Sequence, residues 1–158
     1  MKIIYIVFMS LFLSCVKNDS RVITNKNLPI KMEKQYSLIE GIDFVILPYG
    51  KNCSWIKRIP TDENINKMLE DVIENYNKKT KESWEKEIIL ENYRRQYIAI
   101  INEKGEKEVC INFFRSDINF DYWKERLVEV DDGGNDYFRV QINLEKMILS
   151  HFATNGYA

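Results

Sequence analysis

The pattern of apolar and polar positions is clearest between Pro60 and Lys81, where it predicts an amphipathic helix of about five turns. Thr61 is placed to accept hydrogen bonds from the free N–H groups of the first turn, and Asp62 and Glu63 favour the positive end of the helix dipole. The apolar residues recur at helical spacing and form one stripe: Ile65, Met68, Leu69, Val72, Ile73 and Tyr76. A helix with one apolar face has to pack against another layer.

Runs of β-branched and aromatic residues predict a sheet for this helix to cover. Residues 42–50 form a first strand, and residues 52–59 form a second, less regular one. Residues 93–102 and 106–114 are predicted to pair as a hairpin. The loop of such a hairpin needs a residue in the left-handed conformation, and Gly105 supplies it.

The last part of the chain predicts further antiparallel strands. In residues 137–144, apolar and polar side chains alternate, which is typical of a strand with one buried and one exposed face. A turn at Glu145 and Lys146 leads into a final run over residues 147–153. The predicted fold class is therefore α+β, with one long amphipathic helix packed on an antiparallel sheet of about four to six strands.

The first 14 residues have the pattern of a signal peptide. As a helix, the apolar run from Ile3 to Leu13 would be about 16 Å long, roughly half of the hydrocarbon core of a bilayer. Lys2 precedes the run and the small residue Ser14 ends it. We therefore exclude residues 1–14 from the fold.

Residues 12–15, with the sequence FLSC, resemble the lipobox of bacterial lipoproteins. The resemblance implies that the leader is cut before Cys15, that this cysteine carries diacylglycerol, and that its amino group carries an acyl chain such as palmitate. It also implies an outer-membrane location, since Val16 follows where an inner-membrane retention signal has aspartate. Phe12 and Leu13 are bulkier than the usual lipobox residues. In the alternative, an ordinary signal peptide leaves Cys15 as a free thiol or a disulfide partner.

The segment after the leader is polar and without periodicity as far as Lys34, which predicts a lipidated cysteine and flexible tether over residues 15–34. A coil of this length spans about 25 Å. Residues 35–158 then form a single domain. Lys2 leaves with the leader, so the mature chain has 22 basic and 24 acidic residues. Charges this balanced and scattered do not indicate a nucleic-acid partner.

If Cys15 is lipidated, Cys53 and Cys110 remain as an even pair in a compartment that permits disulfides. A bond between them would close a 56-residue loop and stabilise the fold by roughly 4 kcal/mol. In the alternative, both are reduced and act as small apolar residues. With His151 as the only histidine, the chain also lacks the ligands of a usual zinc site, and no metal or cofactor is predicted.

The segment DDGGND, residues 131–136, offers two interpretations. Its oxygen-bearing side chains suggest calcium, but the calcium-loop template needs a different spacing. The alternative is a tight turn between two strands, with Gly133 and Gly134 at positive φ. His151 is predicted to be a partly buried structural residue on the same face as Met147 and Leu149. No catalytic residue is predicted, although a hydrolase acting through two carboxylates stays open because such pairs meet only in the fold.

Four aromatic residues raise a hypothesis of glycan or peptide binding: Trp55, Trp84, Tyr122 and Trp123. Exposed rings stack on sugars and peptides, whereas aromatics in a small domain more often belong to the core. An uncovered strand edge offers a second route to a protein partner.

The segments YRRQYIAIINEKGEKEVCINFF, VDDGGNDYFRVQINL and NGYA resemble those of short lipoproteins and secreted proteins of Bacteroidetes bacteria. The resemblance implies an envelope location and an α+β fold, and it implies no activity. We therefore expect a non-catalytic cell-envelope lipoprotein that serves as a binding or accessory module. The alternatives are a hydrolase of envelope polymers and a toxin-neutralising, immunity-type lipoprotein.

Overall fold

The computed structural model describes residues 38–48, 53–81 and 85–156, all of which belong to one unit, Gln35–Ala158. The predictions for Cys15, Trp84 and the leader lie outside these residues. The fold class is α+β, as predicted. Within the described ranges, one α-helix, α1 (Glu63–Thr80), accompanies a five-stranded sheet. Its strands are β1 (Phe44–Ile46), β2 (Tyr93–Ile101), β3 (Lys107–Arg115), β4 (Tyr137–Asn143) and β5 (Ile148–Thr154).

The strands lie in the sheet in chain order, β1-β2-β3-β4-β5. β1 runs parallel to β2, and the other three pairs are antiparallel. The sheet is therefore mixed, because α1 lies between β1 and β2 in the chain and returns it in the same direction. The β2–β3 hairpin is confirmed, and Gly105 has a φ of 79° in its loop.

The predicted strand over residues 52–59 is wrong. Ser54–Thr61 instead forms a 3₁₀ helix, in which Ile56 and Ile59 are buried. Their spacing of three residues matches the three residues per turn of a 3₁₀ helix and places both side chains on one face. A strand would have set them on opposite faces.

The predicted cap of α1 is wrong by one residue. The side chain of Asp62, and not that of Thr61, accepts from the backbone N–H groups of Asn64 and Ile65, at 3.0 and 3.2 Å. The Thr61 hydroxyl donates to the carbonyl of Arg58. Because the 3₁₀ helix continues through Thr61, the α-helical N-terminus moves on to Asp62.

The main core lies between α1 and one face of the sheet, called here the helix face. Ile65, Leu69 and Ile73 of α1 form one cluster with buried residues of β1, β2, β3 and β4. Phe113 and Phe138 stack at its centre, with ring centroids 4.3 Å apart and planes within 9°. The members from the sheet are Phe44, Tyr93, Tyr97, Ala99, Val109, Ile111, Phe113, Phe138, Val140 and Ile142.

The connection between β3 and β4, residues 116–136, covers part of the opposite face of the sheet, called here the loop face. A second cluster forms beneath it from Val45, Leu47, Phe114, Trp123 and Val128. Two polar side chains of the sheet, Gln96 and Asn112, are also buried there, at 0 % and 4 % exposure. Their hydrogen bonds to backbone groups of the connection hold this irregular segment against the sheet.

The Gln96 amide binds the connection at three points. Its Nε2 donates to the carbonyls of Trp123 and Arg126 at 2.6 and 2.8 Å, and its Oε1 accepts from the N–H of Val128 at 2.8 Å. Asn112 donates to the carbonyls of Gln96 (Oε1) and Val128. These buried amides give backbone groups of the irregular connection the hydrogen-bond partners that regular secondary structure would otherwise supply.

DDGGND does not join two strands. Gly133 and Gly134 do have the predicted positive φ, 90° and 56°, but they precede only β4, and residues 127–130 form no strand. The segment is instead held to the end of the chain. The N–H of Gly134 donates to the carbonyl of Gly156 at 2.9 Å, and Asn155 Nδ2 donates to the carbonyl of Asp132 at 3.1 Å.

Candidate ligand-binding cleft

The clefts on the described part of the molecule include two that bear on function. The first, called here the loop cleft, has a volume of about 370 Å³ and lies between the turn at Gly41 and Ile42, the β2 residue Arg94, and the segment 119–124. The second, of about 490 Å³, lies between β1 and the 3₁₀ helix and has mainly apolar walls, including Phe44, Ile46 and Ile56.

Local hydrogen bonds hold two of the three walls of the loop cleft in place, the turn at Gly41 and the segment 119–124. In the first wall, Gly41 has a φ of 80°, and the carboxylate of Asp43 accepts from the N–H of Ile39 at 2.8 Å. In the third wall, the N–H of Trp123 donates to the carbonyl of Phe120 at 3.0 Å. Such local hydrogen bonds define turns, so the cleft has ordered walls.

Arg94 is the central group of the loop cleft. It lies between Tyr93 and Arg95, which are buried on the helix face, so its own side chain projects to the loop face. Its guanidinium lies 5.2 Å from the ring centroid of Trp123. One guanidinium nitrogen, Nη1, is buried and has no hydrogen-bond partner among the described residues.

A second cation and two polar side chains accompany Arg94. Lys124 Nζ lies 5.7 Å from the Trp123 ring centroid, and neither cation forms an ion pair with a carboxylate in the described ranges. Asn119 Nδ2 donates to Asp121 Oδ1 at 2.8 Å, and both residues are exposed. The cleft thus carries two positive charges and one negative charge, beside the apolar side chains of Ile42 and Phe120.

The four aromatics of the binding hypothesis do not share one surface. Trp123 is 5 % exposed and belongs to the loop-face core, and half-buried Tyr122 packs against the same cluster with Arg126 over its ring at 4.6 Å. Trp55 packs on the helix-face core. Trp84 lies outside the described residues. Of the three aromatics that the structure describes, only Trp123 lines the loop cleft, where Arg94 and Lys124 lie near its ring.

Cys53 and Cys110 do not form a disulfide with each other in the structure. Cys110 lies between Val109 and Ile111, whose side chains belong to the helix-face core, so the Cys110 side chain projects to the loop face. Cys53 packs against the helix-face core, on the other side of the sheet. Burial raises the pKa of the Cys110 thiol, which makes it a poor nucleophile at neutral pH.

His151 is exposed, and it does not share a face with Leu149. A β-bulge shifts the register so that Leu149 lies opposite Ile142 whereas His151 lies opposite Gln141. Gln141 also pairs with Cys110 on its other side. Cys110 and His151 are therefore two strands apart, about 10 Å, which is too far for a nucleophile and its base.

A pair of glutamates that sequence reasoning missed lies at the β2–β3 loop end of the sheet. Asn102 Nδ2 donates to Glu106 at 3.1 Å and to Glu108 at 2.8 Å, and Asn143 Nδ2 donates to the same two carboxylates. Hydrogen bonds from Lys146, Asn102 and Asn143 lower the pKa of Glu106 to about 2. The pKa of Glu108 is lowered as well, mainly by hydrogen bonds from Gln141 and Asn102.

This glutamate pair does not have the protonation states of a hydrolase site. A carboxylate pair that cleaves glycosides needs one acid with a raised pKa to protonate the leaving group. Both glutamates are instead held ionised by amide donors that join the β2–β3 loop to β4. The arrangement is that of a structural network.

The described ranges contain no group of three or more His, Cys, Asp or Glu side chains placed to hold a metal ion. Within the same ranges, no helix is both long enough and apolar enough to cross a membrane.

Comparisons of the chain with protein-family models, with curated proteins and with solved structures give no match. The resemblance to short Bacteroidetes lipoproteins therefore stays a prediction. What the chain can bind has to be inferred from the loop cleft and its side chains.

Proposed function

We propose that this protein is a non-catalytic binding module of the cell envelope, anchored to the outer membrane through a lipid on Cys15, and that the loop cleft is its binding site. The proposal also includes the prediction that a single long helix covers the sheet, and it assigns this role to α1. Residues 15–34 serve as the tether between the anchor and the domain.

The observation that carries the proposal is the state of Arg94. A buried donor without a partner costs about 1–3 kcal/mol, and more for a charged group. The cost is recovered when a ligand supplies the missing acceptor. Elsewhere in the described residues, the buried amides of Gln96 and Asn112 and the carboxylate of Glu108 have their partners, so they serve the fold. Arg95 Nε also lacks a partner, but Arg95 lies on the helix face over Phe113, away from the loop cleft.

The alternative of a carboxylate hydrolase has less support, since the glutamate pair is held ionised and tied to the β2–β3 loop. An immunity-type role stays a prediction from size and location alone.

The test uses the mature full-length protein in detergent micelles and ligand-observed NMR with a panel of neutral and acidic envelope saccharides and peptides. We expect at least one ligand to bind saturably and to lose at least about tenfold in affinity in R94M, because the charged hydrogen bond is removed. The matched control is R126M, which removes an arginine that stacks on Tyr122 outside the cleft. If no ligand binds, or if R94M and R126M bind every ligand equally, the proposed function is wrong.

A further inference from the structure

The side chains of the loop cleft also indicate the chemical class of its ligand. We infer that the loop cleft binds a sugar that carries a carboxylate, such as a uronic acid residue, with the carboxylate on Arg94 and Lys124 and the hydroxyl groups on Asn119 and Asp121. This inference rests on the proposed function and names the ligand of the same site.

The two cations of the cleft indicate that its ligand carries an acidic group. Arg94 lines the cleft and carries a buried Nη1 without a hydrogen-bond partner among the described residues. Lys124 adds a second positive charge, and both cations lie near the same Trp123 ring. Charge-assisted hydrogen bonds of this kind favour carboxylates and phosphates. Asp121 reduces the net charge of the cleft to a single positive charge, which suits a carboxylate with one negative charge better than a phosphate with nearly two.

The other walls of the cleft indicate that the rest of the ligand is a sugar. Asn119 and Asp121 are exposed and bonded to each other, so a ligand meets an amide and a carboxylate side by side. Sugar hydroxyls both donate and accept, and they pair with such groups. Ile42 and Phe120 supply apolar surface for the C–H groups of a ring, and a volume of about 370 Å³ lies at the small end of ligand pockets.

An acidic peptide fits these walls less well. Peptides are mostly recognised in extended grooves or along strand edges, where the backbone adds hydrogen bonds. The loop cleft is instead an open depression between the turn at Gly41 and the segment 119–124, and it does not follow a strand edge. A second acidic side chain of a peptide would also meet Asp121.

The test compares two probes that differ only at one carbon, methyl glucuronoside and methyl glucoside, titrated into the full-length protein by ligand-observed NMR. We expect the glucuronoside to bind at least about tenfold more tightly, and this preference to vanish in R94M and to fall in K124M. K124M changes an exposed side chain, so it reports on binding even if R94M disturbs the packing of Trp123. R126M should keep the full preference.

Four results would overturn the inference. Equal affinity for both probes removes the carboxylate requirement. Equal or tighter binding of acetyl-glutamate amide makes the ligand an acidic peptide. A preference for the glucuronoside that survives in both R94M and K124M places the ligand elsewhere. In contrast, a neutral saccharide whose binding depends on Arg94 would contradict the inference and leave the proposed function intact.

Discussion

Gly133 shows how much a single residue can decide in this fold. A Cβ added there would lie 2.7 Å from Cε2 of Tyr137, in addition to the strain of a φ of 90°. The sequence predicted the positive φ correctly, because consecutive glycines between apolar segments are strong local signals. It predicted the wrong context, because the partner of this turn is the segment around Asn155 and Gly156, which local spacing does not reveal.

Glu106 is the residue whose ionisation should be visible in stability. A carboxylate with a lowered pKa contributes stability above its usual pKa near 4.5, and this contribution is lost as the pH falls towards about 2. We therefore expect thermal denaturation of the wild type to shift to lower temperature over this range, and E106Q to show a flatter profile. The measurement is the midpoint of unfolding by circular dichroism at pH values between about 2 and 7.

The comparison variant for this profile is E74Q. Glu74 also forms an ion pair, with Lys78, but both side chains are mostly exposed and screened by solvent. E74Q should follow the wild type closely. A profile of E106Q that is indistinguishable from that of the wild type would show that the Lys146, Asn102 and Asn143 contacts do not favour the ionised form.

At the scale of elements, the N-terminus of α1 is set by a polar network that binary patterning does not describe. Asn66 Nδ2 donates to the carbonyls of Pro60 and Asp62 at 3.1 and 3.0 Å. Its Oδ1 accepts from Arg95 Nη1 at 3.1 Å, and Arg95 is 2 % exposed beneath the helix. The network joins the 3₁₀ helix, α1 and β2, which explains a buried asparagine and arginine in otherwise apolar surroundings.

The cap of α1 provides a test at this scale. We expect D62A to destabilise the protein by about 1 kcal/mol, because the side chain that accepts from the N–H groups of Asn64 and Ile65 is lost. T61A is the matched control, and we expect it to have a smaller effect, since the Thr61 hydroxyl serves only the carbonyl of Arg58. The measurement is the free energy of unfolding in urea. A larger effect for T61A than for D62A would show that Thr61, and not Asp62, caps the N-terminus of α1.

For the whole molecule, the decisive feature is that each face of the sheet has its own cover. The helix face is covered by α1, and part of the loop face is covered by residues 116–136, which Gln96 and Asn112 hold in place. The loop cleft exists because this irregular cover meets the turn at Gly41 beside β2.

The proposed membrane anchor also concerns the whole molecule. We expect C15A to move the protein from the membrane fraction to the soluble fraction, because the lipid that Cys15 is proposed to carry can no longer be attached. C53A is the control and should stay with the membrane. Mass spectrometry of the wild-type N-terminus should give a chain that starts at a lipid-modified Cys15. A membrane-bound C15A protein, or a mature chain with another N-terminus, would contradict the anchor.

The sequence by itself determined the features that depend on neighbours in the chain. The α+β class, the β2–β3 hairpin with Gly105 and the positive φ at Gly133 and Gly134 all follow from local periodicity and local backbone conformation. The 3₁₀ helix at residues 54–61 was missed because its apolar residues also fit a short strand, and only the packing of Ile56 and Ile59 distinguishes the two.

Only the tertiary structure decided which distant residues meet. It set β1 parallel to β2, placed Cys53 and Cys110 on opposite faces, and brought Arg94 beside Trp123 and Lys124 from about 30 positions away in the chain. The physical reason is that such contacts arise from strand register and from the hydrogen bonds of buried amides, which depend on the whole fold. Of the candidate site, the sequence pointed only to Trp123, and the meeting of Trp123 with Arg94 belongs to this second group.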